Sequence, residues 1–208
     1  MPKRIRNETG FIKYMTKDEF NLLLTGLERW ELNYRVILHI MFYMGLRIGE
    51  VVPLRYTDII GDYHTLRVDI EKGGGIRERI IPDIVKRELE VYIFTQKLFR
   101  TSNYLFEPRA SSGSKNPHLQ ASSMAWKICV ARKKLGLNDV YFIRKDGVKL
   151  HRISAHTCRH WFISQVYEKT KDPILTQRII GHKNLHTTGR YIYLDKLREA
   201  EKEVVNLL

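Results

Sequence analysis

The chain has 208 residues, of which 36 are Lys or Arg and 23 are Asp or Glu, so its formal net charge at pH 7 is +13. Hydrophobic residues make up 43% of the sequence and aromatic residues 11%, which excludes general disorder and predicts one globular domain with a sizeable core. Charged residues interrupt every apolar run, and the basic start of the chain lacks the apolar stretch of a secretory signal. We therefore expect a cytoplasmic protein without a membrane partner, whose positive charge favours nucleic acid. A charge that serves only solubility is the alternative.

The two cysteines and the absence of known metal motifs limit the chemistry that the sequence predicts. Cys129 and Cys158 form neither a C-x-x-C pair nor a disulfide framework, so we expect reduced thiols. The sequence has no Walker A loop, no H-E-x-x-H and no Cys/His cluster with zinc spacing. We therefore expect no metal and no other cofactor. A metal-free reaction at phosphate would need Arg, Lys and His to neutralise charge and a side chain to act as nucleophile.

Helical patterns dominate the first 54 residues. A capping box, Thr16-Lys-Asp-Glu19, precedes apolar residues at helical spacing. Residues 33–44 predict a helix that is apolar nearly all round, and therefore buried, with Gly45 as its stop. A further helical turn is expected within residues 48–54.

The period then changes to that of β-strands. Residues 64–70 and 76–81 alternate on either side of a glycine-rich turn, which predicts a β-hairpin. Asp83 is expected to cap a helix that runs to about Gln96. The Ser-, Asn-, Pro- and Gly-containing residues 101–122 predict a surface loop.

The second half predicts a basic helix over residues 123–135, a short hairpin within residues 140–150, and helices over residues 155–168 and 173–180. Asp172 and Pro173 begin the last of these helices and Gly181 ends it. A short helix is expected over residues 187–193, followed from Asp195 by an amphipathic helix that packs either on its own domain or on a neighbouring subunit. The predicted fold class is α+β, mainly helical, with a small antiparallel sheet.

Several residues suit phosphate chemistry, although each alone has an ordinary structural interpretation. Arg47, in Gly-Leu-Arg-Ile-Gly-Glu, would fork onto two phosphate oxygens or form a surface salt bridge with Glu50. Lys72 stands at the hairpin tip as a candidate general acid or a simple turn residue. His156 and Arg159 share a face at the start of a helix, where an anion is favoured.

Taken together, the order Arg…Lys…His-x-x-Arg…His…Tyr resembles the catalytic signature of the tyrosine recombinases, the phage integrase family. The segment Gly-His-Lys-Asn-Leu-His-Thr-Thr-Gly-Arg-Tyr, from Gly181 to Tyr191, is similar to that family's last motif. His182 lies 23 residues after Arg159 and nine before Tyr191, and both separations resemble those of the family. The resemblance extends from about Thr16 to Tyr193.

The resemblance implies a role for each residue in cutting and rejoining DNA. Tyr191 would attack the scissile phosphate and form a 3′-phosphotyrosyl bond, while Lys72 would protonate the departing 5′-hydroxyl and His156 would assist proton transfer. The phosphate itself would be held by the remaining residues of the motif, which are Arg47, Arg159 and His182, with Glu50 and His160 supporting them. The partner would be double-stranded DNA and the active assembly a tetramer on two sites, formed from a protein that is monomeric when free. The source would be a virus, a plasmid or another mobile element.

Two departures from the family pattern leave alternatives open. Lys72 and Pro82 lie ten residues apart, farther than in the family, so Arg77 or Arg79 is an alternative phosphate contact. Tyr193 is a rival nucleophile. The basic run Arg132, Lys133 and Lys134 is a candidate DNA-binding surface or a solvated helix face.

The domain division also departs from the family. We expect a basic arm over residues 1–15, a catalytic domain over residues 16–194 and a helix over residues 195–208. Members of the family usually carry a separate helical domain before the catalytic one, so the chain is either a small recombinase, a catalytic fragment or a remnant. Two other functions stay open: a type IB topoisomerase, and a non-catalytic DNA-binding regulator with a helix-turn-helix near residues 171–193.

Overall fold

The computed structural model describes residues 15–28, 31–69, 75–97, 101–108, 115–137, 140–143 and 146–181. Within these residues the helices are α1 (Lys17–Thr25), α2 (Leu32–Met44), α3 (Ile48–Val51), α4 (Asp83–Gln96), α5 (Ala121–Lys134), α6 (Ala155–Thr170) and α7 (Pro173–Ile180). The strands are β1 (Ile59–Ile60), β2 (Thr65–Asp69), β3 (Ile76–Ile80), β4 (Val140–Ile143) and β5 (Lys149–His151), and a 3-10 turn spans Tyr56–Asp58. The predicted class, mainly helical with a small antiparallel sheet, is confirmed.

Helix α2 is the centre of the core, as its apolar sequence predicts. It packs against α4 and α6, and most of its side chains are buried. The ring of Phe42 stacks on Phe20 of α1, with centroids 4.1 Å apart, and on Trp161 of α6, at 4.0 Å. This aromatic column joins three helices that are distant in sequence.

Gly45 ends α2 as predicted, for two physical reasons. Its φ of +65° lies in the left-handed region, which costs a residue with a Cβ atom about 1–2 kcal/mol. A Cβ atom at this position would also collide with the ring of Phe162 from α6. The tight turn directs Leu46 into the core and brings Arg47 to the start of α3.

The predicted hairpin is confirmed as strands β2 and β3, and the short β1 completes an antiparallel sheet in the order β1-β2-β3. Leu66 pairs with Arg79, and Val68 with Arg77. Leu66 and Val68 are fully buried. Strand β1 has two residues, too few for an alternating pattern to be recognised in the sequence.

The start of α4 differs from the prediction. Asp83 is the first helical residue rather than the cap, and the cap position belongs to Pro82, without a side-chain hydrogen bond. Proline fits there because its φ of −66° already suits the entry to a helix.

The predicted surface loop over residues 101–122 is partly wrong. Leu105, Phe106 and Leu119 are buried, and α5 begins at Ala121, inside the predicted loop. The Leu105 N–H donates to the carbonyl of Leu54 at 2.7 Å, and the Tyr92 hydroxyl donates to the carbonyl of Leu105 at 2.8 Å. Because these partners are distant in sequence, the local composition did not indicate the burial.

The last described elements follow their predictions. Strands β4 and β5 form the second hairpin. The carboxylate of Asp172 caps α7 by accepting from the N–H groups of Ile174 and Leu175, at 2.7 and 3.0 Å. The helices predicted over residues 187–193 and from Asp195 lie outside the described residues. None of the helices in the described part of the chain has the length and hydropathy that crossing a membrane would require.

Replacement of Gly45 by alanine should destabilise the protein more than the same change at Gly136. Both glycines have positive φ, +65° and +71°, but only at Gly45 does a Cβ atom meet another side chain. We expect about 1–2 kcal/mol of lost unfolding free energy for Gly136→Ala and a larger loss for Gly45→Ala. Urea unfolding of both variants measures the difference, and equal losses would contradict the proposed contact with Phe162.

Candidate active site

Arg47 and Glu50 form the first part of the candidate site. Arg47 stands immediately before α3, and the carboxylate of Glu50 accepts from its backbone N–H at 2.7 Å and from its Nη1 at 3.0 Å. The side chain of Glu50 has no exposed surface, whereas that of Arg47 is 29% exposed. The salt bridge between Arg47 and Glu50 that the sequence suggested therefore exists. Because its acid is buried, it is not a surface pair and it holds Arg47 in place.

Arg159 joins the same carboxylate from α6. Its Nη1 donates to the carbonyl of Gly45 and lies 3.9 Å from Oε2 of Glu50, and its Nη2 donates to the carbonyl of Ile180 at 3.1 Å. Burial, and then the positive charge of Arg47, lower the pKa of Arg159 to about 10, so the side chain stays protonated at neutral pH. Arg159 thus connects the end of α2, the end of α7 and the segment that carries Arg47.

Two more arginines, Arg77 and Arg79, reach this site from β3. Nη1 of Arg77 donates to the carbonyl of Ile180 at 2.8 Å, and its Nη2 lies 3.6 Å from Oε2 of Glu50. Arg79 donates through Nη1 to the carbonyl of Ile179 and through Nη2 to that of Met44, the latter at 3.1 Å. Burial, and then the charge of Arg77, lower the pKa of Arg79 to about 10.

We call these five side chains the arginine cluster: Arg47, Arg77, Arg79, Arg159 and Glu50. Four positive charges less one negative charge leave a formal charge of +3. Most of the anchoring acceptors are backbone carbonyls, which fix the guanidiniums without neutralising them. Such a set of preorganised donors is suited to binding a phosphate group.

His156 lies in the first turn of α6, and His160 lies one turn farther along the same helix. His156 is exposed in the first turn of α6, on the same face as Arg159 three residues later, and His160 is half-buried. The hydroxyl of Thr157 accepts from the N–H of Ser154 at 3.0 Å and so fixes the start of the helix. Contact between His156 and a phosphate stays a prediction.

The other three predicted catalytic residues, Lys72, His182 and Tyr191, lie outside the described residues, as does Tyr193. Lys72 precedes the described start of β3 by a few residues, and His182 directly follows Gly181. Their roles stay predictions.

The predicted DNA-binding run divides into one buried residue and two exposed ones. Arg132 is buried and its Nη1 donates to the carbonyl of Ile153 at 3.1 Å, which does not fit the predicted DNA contact. It falls on the same helix stripe as buried Met124 and Ile128, a spacing that would have revealed its orientation. Lys133 and Lys134 are exposed, and Nζ of Lys134 lies 3.2 Å from a carboxylate oxygen of Glu28. DNA contact by these two lysines stays a prediction.

No three His, Cys, Asp or Glu side chains among the described residues are grouped closely enough to hold a metal ion.

Comparison with known proteins agrees with this fold. The model of the phage integrase family matches residues 13–198. A tyrosine recombinase of Thermosipho africanus is 30% identical over 186 residues, which cover 87% of this chain and 57% of that protein. Tyrosine recombinase XerA of Pyrococcus furiosus is 29% identical, with 94% and 63% covered. This chain therefore spans about six tenths of the length of these relatives.

Solved structures give the same class of fold. The crystal structure of XerA recombinase superimposes with a TM-score of 0.70 at 22% identity, covering 93% of this chain and 65% of that one. XerH recombinase bound to its difH substrate gives 0.67 at 21% identity, with 92% and 53% covered. A lambda integrase tetramer bound to a Holliday junction gives 0.61 at 17% identity, with 86% and 47% covered.

The fold is that of a tyrosine-recombinase catalytic domain, a helical core with a small antiparallel sheet. The chain belongs to the phage integrase family. The resemblance found in the sequence is thereby confirmed.

Replacement of Glu50 by glutamine should strongly destabilise the protein. The change removes the buried charge that three guanidiniums face, and breaking such a buried network costs about 3–5 kcal/mol of unfolding free energy. Glu78→Gln is the matched control, because Glu78 is exposed and lies 3.8 Å from Arg67 in a surface pair worth about 0–1 kcal/mol. Chemical unfolding compares the two variants, and similar losses would exclude Glu50 as the organising charge.

Stability should also depend on pH through Glu19, which links α1 to the segment before α6. Arg152 forks onto the Glu19 carboxylate and, with the N–H of Thr16, lowers the pKa of Glu19 below its usual 4.5. A lowered pKa means that this stabilisation is complete above the unfolded-state pKa and is lost as the pH falls through the folded-state value.

We therefore expect Glu19→Gln to cost stability near neutral pH, and the difference from the unmodified protein to shrink as the pH falls below 4.5. Urea unfolding across this range measures the difference. A difference that stays constant with pH would contradict the role of the Arg152 pair.

Proposed function

We propose that this chain is the catalytic part of a site-specific tyrosine recombinase, which cuts and rejoins double-stranded DNA through a 3′-phosphotyrosyl intermediate. The observation that carries the proposal is the shared use of buried Glu50 by Arg47 and Arg159, two guanidiniums from separate segments of the fold. Membership of the phage integrase family supports phosphate chemistry on DNA as the use of such an arginine pair.

The arginine pair would bind the two non-bridging oxygens of the scissile phosphate. Arg159 is held by two carbonyls and a carboxylate, so its guanidinium loses little freedom when the phosphate arrives. Arg47 gives one guanidinium nitrogen to Glu50, and its partial exposure lets the rest of the fork reach a ligand. The charge that develops on the phosphorane would meet donors that are already in place.

The remaining steps are assigned by the family motif. Oη of Tyr191 would attack phosphorus and lose its proton with the assistance of His156, the bond from phosphorus to the 5′-oxygen would break, and Lys72 would give that oxygen a proton. His156 and His182 would hydrogen-bond to the phosphate. The phosphotyrosyl ester conserves the energy of the broken bond, so attack by a 5′-hydroxyl reverses the reaction without ATP.

The proposed partners are DNA and further copies of the chain. XerH is seen with its difH substrate and lambda integrase as a tetramer on a Holliday junction, which supports a tetramer on two DNA sites for this chain too. The net charge of +13 favours a DNA-associated protein. Neither the topoisomerase nor the regulator alternative is favoured, because the compared relatives are recombinases.

The test uses nicked suicide duplexes from the chain's own genetic neighbourhood, incubated with the protein in EDTA and without ATP. We expect a covalent protein–DNA band on a denaturing gel, because the nick lets the short 5′-fragment escape and blocks rejoining. The band should disappear with Tyr191→Phe and remain with Tyr193→Phe.

Each other outcome contradicts a specific part of the proposal. Loss of the band only with Tyr193→Phe would overturn the nucleophile but keep the reaction. Relaxation of supercoiled plasmids without a specific site would favour the topoisomerase. Tight DNA binding with no adduct would favour the non-catalytic regulator or remnant.

A further inference from the structure

Strand β3 turns its two arginines inward, and its two isoleucines point outward together with Glu78. Ile76 and Ile80 are 62% and 73% exposed, while Arg77 and Arg79 lie on the side of buried Leu66 and Val68. A slip of one residue in register would bury the isoleucines and release the arginines to water. Since burial of a guanidinium opposes its charge, the observed register indicates that the inward arginines make contacts that offset this cost.

Arg79 makes contacts that are sufficient to explain its burial. Two of its nitrogens donate to the carbonyls of Met44 and Ile179, at the ends of α2 and α7, and its guanidinium lies 5.5 Å from the ring centroid of Phe162. These carbonyls have no partner inside their own helices, so Arg79 closes two helix ends. Its role is structural.

Arg77 is different, because it contacts the carboxylate that orients the phosphate-binding arginines. Its Nη2 lies 3.6 Å from Oε2 of Glu50, while its Nη1 shares the carbonyl of Ile180 with Arg159. Arg77 and Arg159 therefore share two partners, the carbonyl of Ile180 as a hydrogen-bond acceptor and the carboxylate of Glu50 as an ion-pair partner. Gly181 allows this approach, since a Cβ atom there would collide with the guanidinium of Arg77.

The contacts of Arg77 satisfy only part of the hydrogen-bonding capacity of its guanidinium. Its Nε and Nη2 are buried and make no hydrogen bond within the described residues. Without exposed surface, these two atoms do not face a position that DNA could occupy. A direct contact between Arg77 and the phosphate is therefore not what the geometry favours.

We infer that Arg77 is a positioning residue for the DNA-cleaving site: it holds Glu50 and the end of α7, so that Arg47 and Arg159 present a set geometry to the phosphate. This inference rests on the proposed function. The physical reason is that Arg77 and Arg159 compete for the carboxylate of Glu50. Oε2 of Glu50 faces both Arg77 and Arg159, at 3.6 and 3.9 Å, and without Arg77 it would pair more closely with Arg159 and weaken the hold of Arg159 on the phosphate.

The test separates DNA binding from the cleavage step. Single-turnover adduct formation at saturating DNA gives the cleavage rate, and titration gives the dissociation constant, for the unmodified protein, Arg77→Gln, Arg77→Lys and Arg67→Gln. Arg67 lies on the paired strand of the same hairpin, on the exposed face, and is the matched control.

We expect Arg77→Gln to lower the cleavage rate by about tenfold or more, with less than about a twofold change in the dissociation constant. Arg77→Lys should recover part of the rate, because the ammonium keeps the charge but lacks the fork that contacts both Glu50 and the carbonyl of Ile180. Arg67→Gln should leave the cleavage rate unchanged. A cleavage rate for Arg77→Gln equal to that of the unmodified protein would overturn the inference. So would a loss that appears only in the dissociation constant, because it would make Arg77 a DNA ligand.

A second measurement does not need cleavage. In the ¹⁵N-arginine NMR spectrum of the free protein, the Nη signals of Arg159, assigned with Arg159→Lys, should shift or broaden in Arg77→Lys and stay unchanged in Arg67→Gln. If the unmodified protein forms no adduct, the proposed function fails, and this spectrum still decides whether Arg77 orients Arg159. Unchanged Arg159 signals would overturn the inference on their own.

Discussion

The carboxylate of Glu50 is the charge around which the site is organised. It is fully buried and faces guanidiniums from three separate segments: Arg47 at the start of α3, Arg77 on β3 and Arg159 on α6. Each of these ions would be costly to bury alone, so the three segments are stable in this arrangement only when they meet. The geometry of the candidate phosphate site and the packing of the domain therefore depend on the same interaction.

Helix ends complete the arrangement in a way that preserves its positive charge. Helices α2 and α7 both end in glycines with positive φ, and their last carbonyls accept from Arg79 and Arg159. Carbonyl acceptors fix a guanidinium through its N–H groups but leave its formal charge intact. With one acid among four arginines, the cluster is anchored and still electrically unsatisfied, which is the condition under which an anion binds strongly.

The geometry of the arginine cluster fits the chemistry that the family assignment suggests. A nucleophilic tyrosine alone cuts phosphodiesters poorly, and the enzyme's advantage comes from donors that are placed before the charge develops. The chain spans about six tenths of the length of its relatives. Recombination by the whole assembly is accordingly proposed, while the arginine cluster and the family are observed.

The sequence by itself determined the features that depend on neighbouring residues: the capping box at Thr16, the ends of the helices at Gly45 and Gly181, and the hairpin. The resemblance of its motifs to a known family grouped Arg47, Glu50 and Arg159 in one site. Tertiary structure decided which side chains are buried wherever burial depends on partners that are distant in sequence. It turned Arg77, Arg79 and Arg132 inward, against helix ends and carbonyls that lie far away along the chain. It also placed Leu105 and Phe106 of an apparently polar loop in the core. Local patterns specify φ, ψ and period, but a guanidinium is buried only where its remote acceptors converge, and no local pattern encodes that.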